Sequence, residues 1–263
     1  MTTKRRLTIS QTDMLASKIL AHCHRSGIID AGHAAANGGP GGGPGWWEVL
    51  HKLRERLYAT FEVPTTTLTP LAARVLFGLA ALHRPRRLAV CGCYAGNLMA
   101  WVAGDGFGPF ARYSGECALG IDVDSGAIAF AEGNFARAGF SPGTRAVVGD
   151  AFDAKRFSTD SPWDFLLIDI DVPGARKSGY ARVVQEWLPH LAPGAIVVAH
   201  DVSHPVFAWD LRYYRDFVLA HGAAASATLP IDQCGLEVSR WPRADTPSAA
   251  GTEPGLLHGV PNA

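Results

Sequence analysis

Residues 87–102 read Arg87-Leu-Ala-Val-Cys-Gly-Cys-Tyr-Ala-Gly-Asn-Leu-Met-Ala-Trp-Val102. A short apolar run ends in a glycine turn, and the apolar residues beyond it begin a helix. Glycine lacks a Cβ, so Gly92 and Gly96 let the backbone turn sharply and let a ligand lie against bare peptide N–H groups. A strand–turn–helix of this kind is where a doubly wound α/β sheet holds a nucleotide-like ligand. The spacing is Gly-x-x-x-Gly, not Gly-x-Gly-x-x-Gly, which argues against an ordinary nicotinamide site.

From Arg87 onward, strand-like and helix-like stretches alternate, the pattern of a mainly parallel sheet with helices on both faces. Strands are expected at about 87–91, 117–122, 145–149, 163–169 and 195–200, and helices at about 96–103, 124–139, 178–191 and 205–221. The end differs. Two short apolar stretches flank a turn at Asp232-Gln-Cys-Gly235, which predicts a hairpin whose last strand runs antiparallel to the others. Upstream, helices are expected over 7–29, about 46–61 and 71–83, with Trp47, Leu50, Leu53 and Leu57 on one side of the second. Ala31 to Gly45 is a glycine-rich linker, and residues beyond 243, rich in Pro, Gly, Ser and Thr, read as a disordered tail. The expected fold is therefore Rossmann-like α/β over 63–242, with residues 1–62 a helical appendage serving as a lid or an oligomerisation arm. A homodimer is the preferred assembly.

The 263 residues are enough for one full α/β core. Twenty-four basic and 24 acidic side chains cancel, so no field of one sign points to nucleic acid or an anionic membrane. No apolar run approaches the roughly 20 residues needed to span a bilayer. Five scattered cysteines in a chain of this size read as reduced thiols of a cytoplasmic protein, with Cys91 and Cys93 as packing residues.

Ligands of such a sheet bind outside the carboxyl ends of the strands, and those ends carry the polar residues. They are Gly92 to Gly96, Gly120-Ile-Asp122-Val-Asp124, Val148-Gly-Asp150-Ala151, Ile168-Asp169-Ile-Asp171 and Ala199-His200-Asp201. An acid at the second end suits a ribose diol, and one at the third suits an adenine amino group. Asp124 and Asp171 read equally well as helix caps or turn residues. Trp46, Trp47, Trp209, Tyr213 and Tyr214 could wall an aromatic substrate site, though packing between helices is the plainer reading.

Over about 64–241 the chain resembles the class I S-adenosylmethionine-dependent methyltransferases, and within them the small-molecule O-methyltransferases. The resemblance rests on Ile168-Asp169-Ile-Asp171, Trp187-Leu-Pro-His-Leu-Ala-Pro-Gly194 and Ile196-Val-Val-Ala-His-Asp201, with the antiparallel final hairpin. It implies that Gly92, Tyr94 and Gly96 line the methionine part of S-adenosylmethionine. Asp122 would hold the ribose, with Asp150 and Ala151 beside the adenine. Two positions depart from the family pattern: Val90 stands where an acid is usual before the glycine turn, and Val172 where many members have His.

Methyl transfer from a sulfonium to a small-molecule acceptor needs an aligned, deprotonated hydroxyl. Two routes to it stay open. Asp169, Asp201 and His200 could bind Mg²⁺ or another divalent cation, which lowers the pKa of a bound hydroxyl. Alternatively, His200 or His204 is the general base. The alternatives to methyl transfer are aminocarboxypropyl transfer, cyclisation releasing methylthioadenosine, and a non-catalytic cofactor-binding subunit.

Overall fold

The computed structural model describes residues 7–30, 46–63, 68–158 and 161–241. The glycine-rich segment 31–45 and the tail 243–263 lie outside the described residues. Seven strands form one sheet: β1 (Arg87–Cys91), β2 (Cys117–Asp122), β3 (Thr144–Val148), β4 (Trp163–Ile168), β5 (Leu191–His200), β6 (Ala225–Leu229) and β7 (Leu236–Arg240). Their order is β3-β2-β1-β4-β5-β7-β6. The first five are mutually parallel, and β7 pairs antiparallel with both β5 and β6. The Rossmann-like sheet with an antiparallel hairpin at its end is thus the observed fold.

Eight α-helices complete the described residues: α1 (Ile9–Arg25), α2 (Trp46–Thr60), α3 (Pro70–His83), α4 (Asn97–Phe107), α5 (Ser125–Ala138), α6 (Ala154–Phe157), α7 (Tyr180–Trp187) and α8 (Tyr214–Ala220). The short α6 has no counterpart in the sequence expectation. β1 shows why the strands read as unbroken apolar runs. Leu88 and Val90 join a core with α1 to α5, whereas Ala89 and Cys91 join the core on the other face, with α6 to α8. A strand covered on both faces needs no polar alternation.

The N-terminal helices do not stand apart from this architecture. Leu20, Trp46, Leu50 and Leu53 have no solvent exposure and belong to the same core as Leu88 and Val90. α3 packs against α1 and α4, shares its core with Leu88 and Val90 of β1, and is buried without a break from Leu71 to Leu82, so its sequence is apolar all round. Two glycines seat the outer helices. A Cβ on Gly78 of α3 would stand 2.3 Å from Leu20 Cδ1, and one on Gly104 of α4 would stand 2.2 Å from Leu53 Cδ2. Arg74, the one charge in α3, is buried and paired: its Nε donates to Asp13 at 2.5 Å, and His51 Nε2 lies 3.1 Å from the same carboxylate. One carboxylate thereby ties α1, α2 and α3 together.

Two expectations are corrected in detail. β5 begins at Leu191, ahead of Pro193-Gly194, because Leu191 pairs with Trp163 before a bulge shifts the register to Phe165 against Ile196. The expected helix 205–221 is interrupted. Pro205–Phe207 is a 3₁₀ turn, and the Val206 carbonyl accepts from Arg176 Nη2 at 2.9 Å instead of continuing a helix. The α-helical part starts only at Tyr214. Among the described residues no helix is long and apolar enough to cross a membrane. All five cysteines are buried and unpaired with one another.

Truncating Leu53 distinguishes this arrangement from a detachable arm. Leu53→Ala should lower stability by about 2–5 kcal/mol in chemical denaturation, as for a core leucine. A change within about 0.5 kcal/mol would be the response of a surface side chain.

Candidate active site at the carboxyl rim of the sheet

A cleft of about 690 Å³ opens along the carboxyl ends of β1 to β5. At its centre β1 leaves the sheet through Gly92, whose φ is +81°, and a Cβ there would lie 2.3 Å from the Asp169 carbonyl oxygen. Only glycine lets the two strand exits approach this closely. Asp122 fixes the next turn. Its Oδ2 accepts from the Tyr94 N–H at 2.9 Å and its Oδ1 from the Asp124 N–H at 3.1 Å, so the carboxylate that faces the cleft also holds the glycine loop. Asp150 Oδ1 accepts from the Phe152 N–H, and the Ala151 carbonyl accepts from Trp187 Nε1.

Gly92, Tyr94, Asp122, Asp150 and Ala151 all line this one cleft. Gly96 does not. It caps α4 with φ +84°, and a Cβ there would meet the Phe135 ring at 2.7 Å, so it serves the loop and the packing. Asp124 is the N-cap of α5, accepting from Gly126 and Ala127. Val90 is fully buried in the helix-covered core and takes no part in the cleft. Trp46, Trp47, Trp209, Tyr213 and Tyr214 are also absent from the lining, whose aromatic rings are those of Tyr94, Phe152 and Phe207.

Beyond Gly92, four charged side chains meet. Lys177 Nζ donates to Asp169 Oδ1 at 2.7 Å and lies 3.1 Å from Asp201 Oδ2. His200 Nδ1 stands 3.4 Å from Asp169 Oδ2 and 3.4 Å from Asp201 Oδ1, and it makes no directed hydrogen bond to either. His200 is 2% exposed and Lys177 4%. Burial alone would lower the imidazole pKa, but Asp169 and Asp201 outweigh it and raise it to about 10. The same contest raises Lys177, where burial is opposed by both carboxylates. For Asp201 burial pushes up, and His200 and Lys177 hold it well below the usual carboxylate range. The site therefore brings two basic and two acidic side chains together. Removing such charges from water is costly and adds little stability, so a buried quartet at a cleft points to chemistry.

These contacts revise the roles expected of the histidines. Asp169 and Asp201 beside Nδ1 favour the charged form of His200, which counts against its acting as a free base. His204 lines the cleft, but its Nδ1 accepts from the Val206 N–H at 3.3 Å. The neutral ring then carries its proton on Nε2, which makes His204 a donor to the cleft rather than a base. The expected metal ligands Asp169, Asp201 and His200 are together, but they do not fit a divalent cation. Both carboxylates already face the Lys177 ammonium, which stands where a shared cation would.

Lys177 is the residue that the sequence reading passes over, since it falls between a strand end and an expected helix. Pro173-Gly174 is the signal that could have found it. The chain reverses there, Val172 bridges Arg176, and Lys177 returns to the rim eight residues after Asp169. Val172 and Arg176 exchange main-chain hydrogen bonds across that turn. Four non-glycine residues among those described have positive φ: Arg84 ends α3, while Tyr94, Arg176 and Asp201 all stand at this site. Left-handed backbone of this sort persists where the surroundings enforce it, and it clusters at functional sites.

Charge in the quartet makes a pH prediction. The raised His200 pKa contributes stability that is complete below pH 6.5 and disappears as pH climbs through about 10. The depressed Asp201 contributes above pH 3.8 and fails in acid. The difference in Tm between the wild type and His200→Asn should therefore shrink steadily from pH 6.5 to pH 10. A constant difference would show that His200 is not charged in the fold.

Comparison with known proteins agrees with this geometry. Residues 89–202 match a family model described as a methyltransferase domain. No curated protein sequence matches the chain. An O-methyltransferase from Bacillus cereus, solved with SAH, superposes with a TM-score of 0.57 at 16% identity, covering 74% of this chain and 90% of that one. The O-methyltransferase TomG from Streptomyces achromogenes, solved with SAM, gives 0.57 at 19% identity over 74% and 90%. The SAH-bound Podospora anserina methyltransferase PaMTH1 gives 0.57 at 16% identity over 90% and 98%. The chain has the class I methyltransferase fold.

Proposed function

We propose that the protein transfers a methyl group from S-adenosylmethionine to an acidic hydroxyl, phenolic or enolic, of a small specialised metabolite. One observation carries this reading: a single cleft joins Asp122 and Asp150 at one end to the buried Asp169–Lys177–Asp201–His200 quartet at the other. Its volume of about 690 Å³ lies in the range of sites that enclose drug-sized ligands. The neighbour TomG, described as involved in tomaymycin synthesis, is in keeping with a specialised-metabolite acceptor.

The residues at the first end suit the cofactor. Each Asp122 oxygen accepts one backbone N–H and keeps acceptor capacity for a ribose hydroxyl. Asp150 and Ala151 would flank the adenine, and the Gly92–Tyr94 turn the methionine part. When bound, S-adenosylmethionine supplies an electrophilic methyl on a sulfonium.

At the second end the residues prepare an acceptor oxygen. Two of the three ammonium protons of Lys177 are taken by Asp169 and Asp201, which leaves one for the acceptor. Both carboxylates border the cleft, and Asp169, the more exposed of the two, would take the hydroxyl proton. A carboxylate is a weak base, so the acceptor must itself be acidic, and Lys177 and His200 stabilise the oxyanion as it forms. His204 Nε2–H adds a donor that orients the acceptor.

Incubation with S-adenosylmethionine and a panel of phenols, enols and aliphatic alcohols tests the reading by mass spectrometry. S-adenosylhomocysteine should form with phenols or enols and not with the alcohols. Methylthioadenosine as the product, or no product with any acceptor, would overturn it. Asp122→Ala should weaken cofactor binding about 10–100-fold by calorimetry, with the circular dichroism spectrum unchanged.

A further inference from the structure

We infer that Lys177 is a built-in cation: its ammonium occupies the place between Asp169 and Asp201 that a divalent metal would require, so the site operates without one. The inference deepens the methyl-transfer reading and, for its catalytic part, rests on it. Its structural part stands on the geometry alone.

Parallel pairing of β4 with β5 sets Ile168 opposite Ala199, so the following strand-end acids leave the sheet side by side. Asp201 is 8% exposed, and two carboxylates so close cannot both stay ionised without a positive charge between them. Mg²⁺ would answer that need with about six oxygen ligands at about 2.0–2.1 Å. The chain answers it differently. Lys177 Nζ is 2.7 Å from one carboxylate and 3.1 Å from the other, with its side chain 5% exposed. Two aromatic rings flank the ammonium: the Phe207 centroid lies 5.2 Å from Nζ and that of Tyr180 5.6 Å. Such distances suit cation–π attraction, which adds to the hold of the two carboxylates on the ammonium.

The backbone holds the ammonium there. Arg176, in the left-handed region at φ +45°, pairs through Nε with Asp210 Oδ2 at 3.0 Å and through Nη2 with the Val206 carbonyl. Lys177 opens a 3₁₀ turn that runs directly into α7. The lysine is thus anchored on both sides, and its position does not depend on a flexible loop.

Electron paramagnetic resonance of Mn²⁺ with the full-length, EDTA-treated protein tests the assignment. Wild type should leave the free-ion signal unchanged up to about 1 mM, and its S-adenosylhomocysteine formation should be insensitive to EDTA and to added Mg²⁺. Lys177→Ala, which frees both carboxylates, should bind Mn²⁺ and lose about 10²–10³-fold in turnover without metal. Mn²⁺ binding by wild type, inhibition of wild type by EDTA, or a folded Lys177→Ala that binds no Mn²⁺ would each overturn it. Should Lys177→Ala fail to fold, the two wild-type measurements decide the matter by themselves. Failure of methyl transfer with every acceptor, alongside the expected Mn²⁺ pattern, would sink the proposed activity and leave the built-in cation standing.

Discussion

The register of β1 against its two neighbours is the constraint on which the site depends. Cys91 lies opposite Ile121 on one side and Ile168 on the other, so the strands end at one level. The residues just beyond, Gly92, Asp122 and Asp169, therefore come out together at one rim. Hydrogen bonds carry the register past the strand ends: the Gly92 N–H donates to the Ile121 carbonyl and the Asp169 N–H to the Cys91 carbonyl. Slipping one strand by one residue would reverse the faces of its side chains and send Leu88 and Val90 to the opposite core. The apolar requirement of two cores thus places the polar residues without any interaction among the polar residues themselves.

Much of this was readable in the chain because the relevant signals are local. Apolar runs that end in Gly or Asp mark strand exits, and their order along the sequence is enough to name Asp122, Asp150, Asp169 and Asp201 as rim residues. Three features were not readable, each because a distant contact decides it. Gly96 looks like a ligand-binding glycine, but Phe135 lies over it. His200 looks like a base until two carboxylates from separate strand ends are seen beside it, where they favour its charged form. Lys177 bears no motif at all; its role exists only because a Pro-Gly turn folds it back on the two acids.

The N-terminal helices show the same limit in packing. Their amphipathic spacing is plain in the sequence, but a partner for the apolar face is not. That partner is α3 with α4, whose glycines at 78 and 104 accept Leu20 and Leu53 at distances a side chain would forbid. A helix that is apolar all round, as α3 is, implies cover on both sides, and this was the available evidence that residues before it belong to the core.

Arg176 and Lys177 are neighbours whose side chains are committed to different bodies. Arg176 grips the 206–210 stretch, which carries Phe207 over the cleft, and Lys177 grips the acids at the floor. Roof and floor of the acceptor end are therefore joined by a single peptide bond. Any rearrangement that widens the mouth by lifting Phe207 pulls on the same backbone that seats the ammonium, so access and electrostatics form one mechanical unit rather than two independent adjustments.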